Sequence, residues 1–229
     1  TCTGASDCTK VDIIGHGQGG LVAWQYLESP EYGGDVNNMF FLSTPFVGIP
    51  AAYLAAEGGE FRLHSSRIGQ GLGQALLSAE SSGFSNTFDY IKSEAPAFAQ
   101  LLPVVEYLFS NPDPYPTGYP TNPFIENLFS AVDFGSITIY NIAADTNRSG
   151  STIQGLFVGP PNPPGSPWEH GQPTGEPTLV FGGDRVTPRE NIEGRINPDP
   201  TFFVTDHGGL PTAAQSFLFQ TIAGIAPTT

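Results

Sequence analysis

The sequence predicts an α/β domain built on a mainly parallel sheet. Three observations carry that reading. A short β-branched run ends on glycines and passes directly into residues with helical spacing. A second apolar run follows that helix. Further apolar runs punctuate the second half of the chain, the last two ending at Gly182-Gly183-Asp184 and Asp206-His207-Gly208. With 229 residues, 39% of them hydrophobic and including 17 Phe and 8 Tyr, the chain can bury a core of its own and is not a disordered composition. The 28 Gly and 22 Pro follow no triplet period, which excludes collagen and points to a loop-rich globular domain.

Lys10-Val11-Asp12-Ile13-Ile14 reads as a buried strand ending in Gly15. Leu21, Trp24 and Leu27 then share one helical face over residues 21–28, and Pro30 stops the helix. Asn38 to Ser43 is the second strand. Strand, helix and strand at this spacing imply a parallel pair with a right-handed crossover. Residues 50–133 differ: 51–56, 68–78, 98–109 and 124–132 carry helical apolar spacing, separated by the Pro-rich loop 111–120. This segment reads as a helical insertion above the sheet, within a single domain spanning 1–229. Ser136 to Ala143 is the strongest strand signal, a polar, Pro-rich excursion fills 159–177, Thr178 to Phe181 and Thr201 to Val204 are further strands, and a last helix covers 212–223.

The formal charge of −14 arises from 8 Lys and Arg against 22 Asp and Glu. Such a chain has no basic stripe for nucleic acid, and an anionic membrane surface would repel it. No apolar run approaches the roughly 18 residues of a transmembrane segment. The chain opens on Thr1 without a signal peptide, which reads as a processed end, a fragment end or an engineered start. Cys2 and Cys8 are candidates for a small disulfide loop, and Asn147-Arg148-Ser149 is a glycosylation sequon; both suit a secreted, extracellular protein. Nothing has metal-ligand spacing.

The turn after the first strand has two readings. Gly15, Gly17 and Gly20 spell the dinucleotide-binding fingerprint G-x-G-x-x-G, but that motif needs a carboxylate ending the next strand, where Leu42-Ser43-Thr44-Pro45 offers none; Asp35 lies at that strand's wrong end. Alternatively, Gly15-His16-Gly17-Gln18-Gly19 is the nucleophile elbow G-x-S-x-G with glycine where the serine belongs.

On the second reading, Lys10 to Val22 resembles the elbow of secreted α/β-hydrolase lipases. Leu42 to Pro50 is similar to the Thr-Pro segment that follows their next strand. Ser93 to Pro96 with Leu101-Leu102-Pro103 resembles the lid region of their acyltransferase-like branch. Gly183 to Pro188 resembles the acid loop, and Asp206-His207 the histidine loop. These matches keep the family's order along nearly the whole chain.

The resemblance implies an α/β-hydrolase fold with residues 50–133 as its lid, hydrolysis of lipid-like or other apolar carboxylic esters, and no cofactor. It assigns the nucleophile position to Gly17, the acid to Asp184 and the base to His207, with the backbone N–H of Gln18 as an oxyanion donor. Asp145, at the end of another strand, is the runner-up acid. Asp206 reads as a turn residue, His16 as a packing residue of the elbow, and His64 and His170 as solvated. Glycine has no nucleophilic atom, so the chain as written is an inactivated variant or a natural pseudoenzyme. In the family several strands precede the elbow strand, whereas nine residues precede Lys10 here; a second chain or an upstream stretch is expected to complete the sheet. The competing class is a non-catalytic binding or assembly module that keeps the fold.

Overall fold

The computed structural model of the chain describes residues 10–56, 82–85, 87–110, 121–128, 137–147, 152–159, 177–193, 196 and 199–226. Cys2, Cys8, His64, His170, the helix expected over 68–78, the 111–120 loop, and nearly all of the 159–177 excursion lie outside these residues.

The protein is of the α/β class. Its main sheet contains β1 (Val11–His16), β2 (Val36–Leu42), β4 (Thr138–Asp145) and β7 (Thr201–Val204), in the order β1-β2-β4-β7 and parallel throughout. β2 is near-continuously apolar because both of its faces are covered. Met39 and Phe41 face the core that holds Leu21, Trp24 and Leu27 of helix α1 (Gln18–Glu28). Phe40 and Leu42 face the opposite core, with Ile142, Ala144 and the C-terminal residues Leu210, Ala214, Phe217 and Leu218. The alternation of a strand thus splits one apolar run between two helical layers. Burying each large side chain stabilises the fold by roughly 1.5–3 kcal/mol.

α1 begins three residues earlier than its apolar spacing suggested, so the elbow is the single residue Gly17. The helix ends where the Ser29 N–H bonds the Tyr26 carbonyl ahead of Pro30. The expected C-terminal helix is two pieces, α6 (Leu210–Ala213) and α7 (Gln215–Ile222), meeting at Ala214. A short helix, α5 (Arg189–Glu193), precedes them in the chain.

Three expectations are corrected. Residues 98–109 are not a helix: a 3-10 turn spans Pro96–Leu101, Pro103 interrupts any continuation, and Leu108–Ser110 forms strand β3. Helix α4 covers Pro123–Asn127 and stops at Leu128, whose backbone is extended, the remainder of the expected 124–132 helix lying outside the described residues; Asn122 caps it by accepting the Ile125 N–H at 3.2 Å. Thr178–Val180 (β6) is a strand but not of the main sheet. It pairs antiparallel with β5 (Thr152–Val158), which itself runs parallel to β3. The apolar pattern predicts no strand at 152–158, where Gln154 and Gly155 interrupt it. Gly155 lets the Phe109 ring pack close against the strand, since a β-carbon there would meet that ring at 2.2 Å.

The described parts of 50–133 also include helices α2 (Ala52–Ala56) and α3 (Thr87–Glu94). Tyr53, Leu54, Ile91, Leu101 and Ile125 share one continuous core with α1. Backbone bonds tie the segment down: the Ile49 N–H reaches Leu101 O at 2.7 Å, and the Val104 N–H reaches Val47 O at 3.0 Å. Among the described residues, no helix is long and apolar enough to cross a membrane.

Candidate active site

The three loops singled out in the sequence meet at the C-terminal ends of the main strands, where open α/β sheets form their crevices. Gly17 links β1 to α1 with φ 56° and ψ −128°. Its N–H continues the sheet ladder to Leu42 O at 2.8 Å. In this left-handed region a non-glycine residue costs roughly 1–3 kcal/mol of strain. The other elbow glycines serve close packing. A β-carbon at Gly15 would lie 2.7 Å from the Cα of Gly20, and one at Gly20 would lie 1.9 Å from Thr44 Oγ1. The G-x-G-x-x-G spacing therefore has an explanation inside the elbow itself.

Asp184 reaches the site by a different route from the one expected. Its preceding strand belongs to the small sheet, but the acid loop is bonded to the end of β4, the Thr146 N–H donating to Gly183 O at 3.0 Å. The carboxylate is fully buried. Its Oδ1 accepts the backbone N–H groups of Val186 (2.9 Å) and Thr187 (2.6 Å), which leaves Oδ2 to accept His207 Nδ1–H at 2.5 Å. Two fixed amides aim the second oxygen at the imidazole. Gly183 adopts φ 91° and a β-carbon there would meet Thr187 O at 2.4 Å, so the tight loop needs glycine.

His207 opens a short 3-10 turn after β7, and the Asp206 carboxylate caps that turn by accepting the Gly209 N–H at 2.9 Å. The His207 N–H donates to Asp184 O at 2.9 Å, a second link to the acid loop. With Nδ1 committed to the carboxylate, Nε2 faces the elbow: a β-carbon on residue 17 would lie 2.8 Å from it. Gln18 is the first residue of α1, so its amide is among the N–H groups that have no partner inside the helix.

Asp145 is placed elsewhere. Its Oδ2 pairs with Arg189 Nη1 at 3.3 Å, and its Oδ1 accepts the Asn147 N–H at 2.9 Å. Asn147 is exposed on that turn, with φ 48°. Asp35 accepts the Tyr26 hydroxyl at 2.8 Å, at the far end of the sheet. A polar cleft lined by Thr146, Arg185, Val204, Thr205 and Asp206 adjoins the acid loop but includes neither Gly17 nor His207.

The elbow pattern assigns His16 a packing role and does not reveal its contacts. Its Nε2–H donates to the His207 carbonyl at 2.9 Å, and the two imidazoles stack with centroids 4.4 Å apart at 28°. Burial, then the neighbouring His207, lower the pKa of His16 below its ordinary value. Its place beside residue 17 was the available signal.

No family model matches the chain, and no curated protein matches it in sequence.

Proposed function

We propose that this chain is a carboxylic-ester hydrolase domain of the α/β-hydrolase fold, lipase type, carrying glycine where the nucleophilic serine belongs. The observation that carries this reading is the line from the buried Asp184 carboxylate through His207 to Nε2, which ends 2.8 Å from where residue 17 would place a β-carbon. A serine there would present its hydroxyl to Nε2. His207 would take the proton as Oγ attacks the ester carbonyl, then return it to the departing alcohol. Water would repeat the cycle on the acyl-enzyme. Asp184 would hold the ring and stabilise its cation, and the Gln18 amide would face the developing oxyanion.

As written, Gly17 cannot form an acyl-enzyme. Gly17→Ser is expected to confer hydrolysis of p-nitrophenyl butyrate. The β-carbon contact is with the tip of an imidazole, which can withdraw by a few tenths of an ångström. A folded Gly17→Ser protein with its sheet complete and no turnover would sink the triad assignment. The substrate class is a lipid-like or other apolar ester, the 50–133 segment is the lid, and the exposed Asn147 favours a secreted protein. The packed glycines and the position of His207 over Gly17 favour the elbow over a dinucleotide site.

A partner for the sheet is a separate proposal, and the described residues do not supply one. Among the described residues no strand pairs with the outer edge of β1, and Val11 and Ile14 on that strand are 54% and 47% exposed. Open edges of this kind recruit further strands. The reading is that an upstream stretch or a second chain covers this one; the same feature serves a non-catalytic assembly module. If a second copy of the chain covers this edge, the protein sediments as a dimer and Ile14→Lys shifts it towards the monomer. Unchanged association would mean that the edge is not the adhesive surface.

A further inference from the structure

We infer that His16 is a positioning residue for His207: its ring N–H clamps the His207 main chain while its face supports the His207 imidazole, setting the distance from Nε2 to residue 17. The inference rests on the hydrolase reading for its kinetic consequence, but not for its structural one.

His207 is held first from the side of Asp184. Its N–H bonds Asp184 O and its Nδ1–H bonds Asp184 Oδ2, so both of these links run to the acid loop. They fix the imidazole relative to Asp184. Neither fixes it relative to the elbow, although catalysis depends on that second distance, and a misplacement of about 1 Å can cost roughly a hundredfold in rate. His16 supplies the missing link. It is the last residue of β1 and the covalent neighbour of Gly17, so it moves with the elbow. Its hydrogen bond to the His207 carbonyl spans 191 residues of sequence at 2.9 Å. The stacked ring then limits rotation of the His207 imidazole away from residue 17.

The chemistry of imidazole suits this task. A carbonyl accepts only, so Nε2 of His16 must carry the proton, which selects one neutral tautomer. Desolvation and the adjacent His207 both oppose a charge on His16, while the Asp184 charge and the bond to the His207 carbonyl favour one; the net shift is downward. A neutral ring can lie against His207 while His207 itself takes and releases a proton.

Two variants separate the two contacts. His16→Gln keeps an N–H donor and loses the ring; His16→Phe keeps a ring and loses the donor. In the chain with Gly17, the Nδ1 proton of His207 is followed by NMR through its exchange with water, which needs no activity. Exchange is expected to quicken by about tenfold in His16→Phe, as the loop loosens, and by about threefold in His16→Gln, which keeps the donor and loses the stack. In the Gly17→Ser background, His16→Phe is expected to lower kcat on p-nitrophenyl butyrate by about tenfold with KM within about twofold, and His16→Gln to restore most of it. Unchanged exchange in both folded variants overturns the inference, as does unchanged kcat in an active Gly17→Ser background. Should Gly17→Ser itself be inactive, the hydrolase reading fails while the exchange measurement still decides the role of His16. Where His16→Phe does not fold, the parent and His16→Gln are compared instead: a much faster exchange in the Gln variant assigns the role to the stack, and equal exchange assigns it to the donor only if His16→Leu, lacking both, is faster; equal exchange in all three overturns it.

Discussion

β1 and β2 lie side by side, and each leaves the sheet through a residue of positive φ, Gly17 at 56° and Ser43 at 44°. Both residues extend the ladder in the same way, the Gly17 N–H bonding Leu42 O and the Ser43 N–H bonding Ile142 O, each at 2.8 Å. The side chains make the difference. Ser43 is fully buried, and its hydroxyl accepts the Ala144 N–H at 2.9 Å. Its backbone strain, roughly 1–3 kcal/mol, is offset by that bond and by the packing around it. At residue 17 glycine removes the strain, and the face where a side chain would stand is turned to His207. A serine in a strained turn is therefore not by itself a nucleophile. What distinguishes the two positions is whether an imidazole faces the hydroxyl or a backbone amide consumes it.

That contrast can be broken in four ways. The largest effect is expected from Gly17→Ser, which should raise esterase turnover by about 10⁴–10⁶ over the parent. It should also lower stability by roughly 1–3 kcal/mol because of the positive φ, read by urea denaturation. Next, Asp184→Asn in the Gly17→Ser background should reduce kcat by about 10⁴, since an amide in place of Oδ2 no longer holds the productive tautomer of His207. The corresponding Asp145→Asn change should leave kcat within about twofold, because that carboxylate pairs with Arg189 instead. A smaller, purely structural loss follows from Ser43→Ala, which leaves the Ala144 N–H unpaired and should cost about 1–3 kcal/mol. Ser43→Gly should cost less, because it relieves the backbone.

The smallest effect concerns pH. His16 has a folded-state pKa below its unfolded value of about 6.5, so the unfolded chain binds more protons below that pH. Its contribution to stability is therefore complete above about pH 6.5 and is lost as the pH falls towards the lowered folded-state value. Melting temperatures measured between pH 7.5 and pH 5 should fall more steeply in the parent than in His16→Phe. Parallel curves would mean that His16 is not held neutral by the fold.

Much of the architecture was legible locally. β1, β2, β4 and β7 stand within a few residues of where apolar runs placed them; β2 and β4 are buried over most of their C-terminal halves, while β1 and β7 at the sheet edges are only partly covered. The elbow was legible because a strand passing into a helix on glycines has few solutions. The small sheet was not legible. β5 contains Gly155, whose reason is the Phe109 ring, and β3 follows Pro103 in a stretch whose leucines and phenylalanines mimic helical spacing. Pairing between segments so far apart leaves no periodic trace in any of them. For the candidate site, the sequence supplied a list of residues but not the bonds among them. Asp184 and Asp145 both follow strands, and only the Val186 and Thr187 amides and the Arg189 guanidinium, respectively, show which carboxylate faces the imidazole.

Sequence by itself determined that an α/β chain would fold around a mainly parallel sheet, and that residue 17 carries no nucleophilic atom. Both are local properties, one of apolar patterning and one of a single side chain. Tertiary structure alone decided that His207 bonds Asp184, that His16 bonds His207, and that the acid loop joins the main sheet through Thr146 rather than through its own strand. The reason is that hydrogen bonds are settled within about 3 Å, between groups that the chain separates by many tens of residues until it folds.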